Sequence, residues 1–419
     1  MKLRFLLLFL VLQGSLAMGQ DQSFPHARPL GFMLPDYYNR ATVPFEIYNN
    51  LIVIDVLLNR SLPLKFILDT GVRTTVLTEK TLSDLLNMEY ARKITIPGVG
   101  GQKLVDAFVV NDVSLNIGAV QGEGHALLVL EKDLLQLKNY LGVSVHGILG
   151  YELFSRFIVD IDYAKKIIHF YRHEDFKEKK KKKYTAFDIT IEDTKPFLHA
   201  NLVIRDSTGV QEGKFLVDTG SSHNLLLDSR TSNIFYCPKP NLETNLGRGL
   251  GGNIEGRVAR INHLDFGPFT FEEVIATYPY ETSYDVDYSS NERNGTFGGG
   301  LMSRFNTIYD YANGKLYLKK RRGAYKEPFE FNLSGLVVKA TGVYLREFEV
   351  DNVRPNSSAE QVGLKKGDKI VAVNGTKAHT LTLDEVLGKI NVKANHRVRL
   401  DIRRNGERMV FTFKLRRLI

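Results

Sequence analysis

Two Asp-Thr-Gly tripeptides, Asp69-Thr70-Gly71 and Asp218-Thr219-Gly220, lie 149 residues apart. Each follows a bulky apolar run, Phe66-Ile67-Leu68 and Phe215-Leu216-Val217. A single such tripeptide says little, but a matched pair carries a specific chemistry. Two carboxylates held together cannot both ionise comfortably, because repulsion raises one pKa. Near the working pH the pair then holds one proton. The charged member can take a proton from a water between them, and the protonated member can donate one to a carbonyl oxygen. The pair titrates as a unit, so neither aspartate is assigned a separate role.

The residues that must position this pair repeat with it. Gly147-Ile148-Leu149-Gly150 faces Gly295-Thr296-Phe297-Gly298, Ser155-Arg156-Phe157 faces Ser303-Arg304-Phe305, and Asp162-Tyr163 faces Asp310-Tyr311, all at an offset of 148. Such a repeat decides the architecture. Each copy reads as strand, turn and strand: Leu51 to Leu58 and Leu64 to Leu68 in the first, Leu198 to Ile204 and Phe215 to Val217 in the second. Hairpins at 157–171 and 306–319 close the copies. Apolar spacing predicts a helix over Thr78 to Met88, and another starting near Lys132.

On these residues the chain resembles the retropepsin-like aspartic peptidases over about residues 43 to 320. The resemblance implies a mainly β, two-lobed aspartic peptidase fold with duplicated β-barrel lobes. It implies catalytic roles for Asp69 and Asp218, with support from Thr70, Gly71, Thr219, Gly220 and Ser221. The threonines would hydrogen-bond across the lobe interface, and the downstream glycine segments would cross behind each turn. Glycine-rich stretches give one flap candidate per lobe, Gly98, Gly100 and Gly101 in the first and Gly249, Gly251 and Gly252 in the second. Val72 departs from the pattern, because it cannot donate the hydrogen bond that a hydroxyl residue there would. Thr296 makes the second apolar-apolar-Gly element less regular. A non-catalytic scaffold that keeps the lobes and binds peptides stays open on these grounds.

Beyond Arg322 the pattern changes. Val362-Gly363-Leu364-Lys365-Lys366-Gly367-Asp368 and Val373-Asn374-Gly375 precede a predicted helix, Leu381 to Ile390, and a hairpin across Asn405-Gly406. This segment, about 333 to 419, resembles a PDZ domain. The resemblance implies addition of an extended peptide to a sheet edge, with a loop that captures a terminal carboxylate. Leu333, Ser334, Gly335 and Leu336 are the candidate loop.

Length and composition bound the remaining readings. At roughly 100–200 residues per domain, 419 residues suggest two to four units. The division expected is a signal peptide at 1–19, an N-terminal segment at 20–42, lobes at 43–173 and 184–322 around a Lys-rich linker at 174–183, and the PDZ domain at 333–419. Lys2 and Arg4, the apolar run Phe5 to Leu12, and small residues up to Gly19 read as an export signal. A periplasmic location is expected, with the extracellular space as the alternative. No stable membrane span is expected after signal removal. The net charge of +9 owes its most conspicuous cluster to Lys179–Lys183, read as a solvated linker rather than a nucleic-acid patch. Cys237, the only cysteine, excludes an intramolecular disulfide framework and a Cys-rich metal site, and reads as a small apolar residue. The expected partners are a polypeptide substrate and a peptide or protein C-terminus, with no nucleic acid. No cofactor and no metal are expected.

Overall fold

The computed structural model describes residues 30–100, 104–177, 183–205, 209–282 and 292–419. The expected export signal, Gly101 and Lys179–Lys182 lie outside the described residues.

Each lobe is one large sheet, and the two sheets share a strand order. In the first lobe the path runs Glu46–Tyr48, Leu51–Leu58, Leu62–Leu68, Gly147–Leu149, Val76–Leu77, His125–Leu130, Leu104–Val113, Tyr90–Pro97. In the second it runs Thr190–Glu192, Lys195–Val203, Gln211–Asp218, Gly295–Gly298, Leu225–Leu227, Phe269–Pro279, Gly252–Phe266, Asn241–Gly249. The repeat read in the sequence is thus a repeat of topology. Apolar residues explain the central strands: Leu51–Leu58 is buried at six of its eight positions, so both of its faces are covered.

Both helices predicted in the first lobe differ from their expected bounds. The first is only Lys80–Leu85. Thr78 does not open it, because its backbone N–H and its hydroxyl both donate to His146 O, at 2.8 and 3.0 Å. Asn87, at φ +49°, stops it early. The second begins at Leu137, not near Lys132. There Asp133 Oδ1 accepts the Gln136 N–H at 2.8 Å and holds residues 133–136 in a turn.

The closing hairpins leave their lobes and meet. Strands Ile158–Asp162 and Phe305–Asp310 pair antiparallel, Val159 against Tyr309. With Ile167–Tyr171, Lys315–Lys320, Thr185–Asp188 and Ala41–Pro44 they form a six-stranded sheet shared by both lobes. The strand Ala41–Pro44 runs across the expected boundary between residues 42 and 43. Upstream, Gly31–Met33 pairs with Gln121–Glu123 of the first lobe. Phe154, Tyr309 and Tyr311 pack ring on ring between the lobes.

The C-terminal module has its own sheet and its own apolar core. Its path is Leu336–Thr341, Glu347–Val353, Lys369–Val373, Arg397–Arg404, Glu407–Lys414, so that Leu336–Thr341 is an edge strand. Helix Leu383–Ile390 is opened by a capping box between Thr382 and Glu385, and turns Leu383, Val386 and Ile390 inward. Asn405 and Gly406, at φ +51° and +90°, make the tight hairpin turn. Asp368, almost fully buried, is held by both arms of Arg404 at 2.6 and 2.7 Å.

Candidate active site

The two Asp-Thr-Gly turns sit face to face because their threonines are cross-wired. Thr70 Oγ1 accepts the Thr219 N–H at 3.0 Å and donates to Val217 O at 2.6 Å. Thr219 Oγ1 accepts the Thr70 N–H at 3.1 Å and donates to Leu68 O at 2.8 Å. Both threonines are buried, so each of these groups would be costly to leave unpaired. The four bonds fix one turn against the other.

Within that frame each glycine touches the opposite aspartate. A Cβ on Gly220 would lie 2.1 Å from Asp69 Cγ, and one on Gly71 would lie 3.0 Å from Asp218 Oδ2. Close approach thus requires glycine at position 220, while a methyl at position 71 would press on the Asp218 carboxylate. Gly71 N–H donates to Asp69 Oδ1 at 2.6 Å, and Gly220 N–H to Asp218 Oδ1 at 2.8 Å. The carboxylates are half-buried and adjacent. Burial, then the neighbouring Asp218 charge, hold the Asp69 carboxyl well above the usual carboxylate range.

A second layer supports each turn from behind. Strand Gly147–Leu149 runs parallel to Leu62–Leu68, and Asp69 N–H donates to Leu149 O at 2.9 Å. Gly150 is so close that a Cβ would overlap Asp69 O, at 1.7 Å. In the second lobe, Gly295–Gly298 runs parallel to Gln211–Asp218 with Gly298 opposite Asp218. Thr296 fits this strand in a buried position, so the irregular element keeps the regular geometry. Gly298, Gly299 and Gly300 donate to Asn224 O, Ser221 O and His223 O. Ser221 acts here through its backbone; among the described residues no side-chain hydroxyl donates to either aspartate, so Val72 leaves no gap that Ser221 fills in the other lobe.

The glycine-rich stretches are hairpin tips that meet. Tyr90–Pro97 with Leu104–Val113 forms one hairpin, and Asn241–Gly249 with Gly252–Phe266 the other. Gly251 N–H donates to Val99 O at 2.8 Å. A Cβ on Gly100 would lie 2.5 Å from Gly252 N, and one on Gly249 would lie 2.3 Å from Val99 O. Gly100 and Gly252 have φ of +129° and +108°. Gly98 directly follows the first hairpin strand, which ends at Pro97. The lobes therefore meet at their Asp-Thr-Gly turns and again at their hairpin tips.

Two features here had weak signals in the sequence. Tyr311 stands only as a repeat partner of Tyr163, yet it is buried near the pair. Its hydroxyl is pushed far up by burial, by Tyr309 and by both aspartates. Gly299 and Gly300 belong to no motif in the sequence, but their N–H groups clasp the segment that follows the second Asp-Thr-Gly turn.

Leu333, Ser334, Gly335 and Leu336 lead directly into the edge strand of the C-terminal module. Their N–H groups are largely engaged: Ser334 donates to Asn391 Oδ1, Gly335 to Asn332 Oδ1 and Leu336 to Ser334 Oγ, at 3.0, 2.9 and 3.2 Å. Cys237 packs partly buried against the lobe core, and burial pushes its thiol up to about 11, the behaviour of an inert apolar residue. Among the described residues no helix is long and apolar enough to cross a membrane.

The family model described as aspartyl protease matches residues 54–153 and 203–294, and the PDZ domain model matches residues 349–404. No curated protein matches the chain. Among solved structures, the aspartic proteinase from Irpex lacteus is similar at 13% identity, over 68% of this chain and 98% of that one, with a TM-score of 0.42.

Proposed function

From a chain made of two aspartyl protease lobes and a PDZ domain, we propose that it is an aspartic endopeptidase, and that the PDZ domain engages a peptide or protein C-terminus. The observation that carries this reading is the placement of Asp69 and Asp218 side by side inside the crossed threonine frame. An unpaired buried carboxylate would neutralise itself, whereas an adjacent pair can share one proton.

The residues supply each proton the reaction needs. A water between the carboxylates gives a proton to the charged one while its oxygen adds to the peptide carbonyl carbon. The protonated carboxyl donates to the carbonyl oxygen, giving a tetrahedral diol. In its collapse one diol hydroxyl returns its proton to the charged carboxylate as the carbonyl re-forms and the C–N bond breaks, the amide nitrogen takes the proton held by the other carboxyl, and the dyad again holds one proton. Gly71 and Gly220 amides steady the carboxylates through this exchange. The meeting hairpin tips would act as flaps that close over the peptide and exclude water. We read residues 1–19 as an export signal and the mature protein as periplasmic, with extracellular release as the alternative.

Purified mature protein should cleave a mixture of unfolded proteins. Asp69→Asn and Asp218→Asn should each lower turnover by about a thousandfold or more. Cleavage that survives either change would rule out the dyad.

A further inference from the structure

An edge strand is where a PDZ domain would add a peptide, but in this chain the edge is covered. Helix Leu137–Leu141 of the first lobe packs against edge strand Leu336–Thr341. Asn139 Nδ2 donates to Ala340 O at 2.8 Å, taking an acceptor that an added strand would use. Gly142, at φ +67°, ends that helix against the helix beside the edge: a Cβ there would lie 2.5 Å from Leu383 Cβ. Residues 139–142 thus run between edge strand and helix, the two walls of the slot.

Tyr140, inside this segment, reaches both the PDZ domain and a flap. Its hydroxyl donates to Asp351 Oδ2 at 2.8 Å, and Asp351 is also held by Lys339 at 3.2 Å. The same hydroxyl accepts from Arg248 Nη1 at 3.3 Å, and the Arg248 guanidinium lies 5.4 Å from the centre of the Tyr140 ring. Arg248 stands next to Gly249 at the tip of the second lobe's hairpin. Its other bonds run to Leu134 O of the first lobe and to Asn253 of its own hairpin, both at 2.8 Å.

We infer that residues 139–142 are the resident occupant of the PDZ slot, and that Tyr140 couples occupancy of that slot to the position of the second flap. An extended peptide that enters the slot must displace Asn139 from Ala340 and Tyr140 from Asp351. Arg248 then loses the ring and hydroxyl that brace it, and the flap is freed. The resting chain is latched, and the PDZ ligand is the release. This inference rests on the reading of the hairpins as flaps.

Hydrogen exchange measured by mass spectrometry on the full chain tests it. In Asp351→Ala, flap segment 244–253 should exchange about fivefold faster, the effect of one lost hydrogen bond. Asp351→Asn, which keeps the shape and one acceptor, should change it less. In a Tyr140→Phe background, where the link is already cut, Asp351→Ala should add nothing. Unchanged flap exchange in Asp351→Ala, or an undiminished effect in the Tyr140→Phe background, overturns the coupling. The readout needs no cleavage, so a failure of the latch and a failure of the dyad are told apart.

Discussion

Asp69 ties the proposed chemistry to a titration. Its carboxyl is raised by burial and by Asp218, so the pair should keep one proton above the usual carboxylate range. Activity should fall in acid when both carboxyls are protonated, and fall in alkali when the shared proton leaves. A profile of kcat/KM against pH should therefore be bell-shaped, with its alkaline limb clearly above about pH 4, the ordinary aspartate value. An alkaline limb at that ordinary value would contradict the shared proton. Stability follows by linkage. A pKa raised in the folded state stabilises fully below the unfolded value, and that contribution is lost as pH rises through the folded one. Asp69→Asn removes this loss along with the charge. Its melting temperature should exceed that of the wild type at neutral pH, and the gap should shrink below about pH 4. Calorimetry at the two pH values checks both the sign and the window. The aspartates and threonines were legible in the sequence because the motif occurs twice. Tyr311 was not, since nothing local distinguishes a tyrosine buried near a carboxylate pair from one in any core.

Strands and turns were legible where local chemistry is strong. Asn405-Gly406 specifies its hairpin turn through backbone conformations that few other residues adopt. The Thr382 and Glu385 capping box sets the start of the last helix at Leu383, two residues inside the predicted Leu381. Thr78 shows where this logic stops: its hydroxyl could cap a helix, but a distant carbonyl, His146 O, takes it instead. The hairpin tips depend on both lobes, so their test belongs to elements. Gly100→Ala places a methyl against Gly252 at a backbone angle alanine resists. It should reduce kcat/KM by about tenfold, with a much smaller change in melting temperature, since the tip supplies little of the core. A variant with full activity would show that the tips need not meet during turnover.

At the scale of the molecule, the lobes are joined by more than a linker. The shared six-stranded sheet, the crossed threonines and the Phe154, Tyr309 and Tyr311 cluster all span the two. Residues 30–44 contribute to this assembly through Gly31–Met33 and Ala41–Pro44. The lobes should therefore unfold in one calorimetric transition, and separate transitions for residues 43–173 and 184–322 would refute that cooperativity. The PDZ domain has its own core but is seated on the first lobe through Asn139, Tyr140 and Gly142.

By itself the sequence determined the two Asp-Thr-Gly turns, the duplication around them, the strand-rich class and the presence of a distinct C-terminal module. These are properties of short stretches: apolar runs, turn residues and repeated spacing act within a few residues. Only the tertiary structure decided that the closing hairpins join into one sheet, that the glycine-rich tips touch, and that the PDZ edge is covered by the first lobe. Each of those depends on which surfaces meet across more than a hundred residues. Burial and hydrogen-bond satisfaction make that choice collectively, and no local pattern carries it.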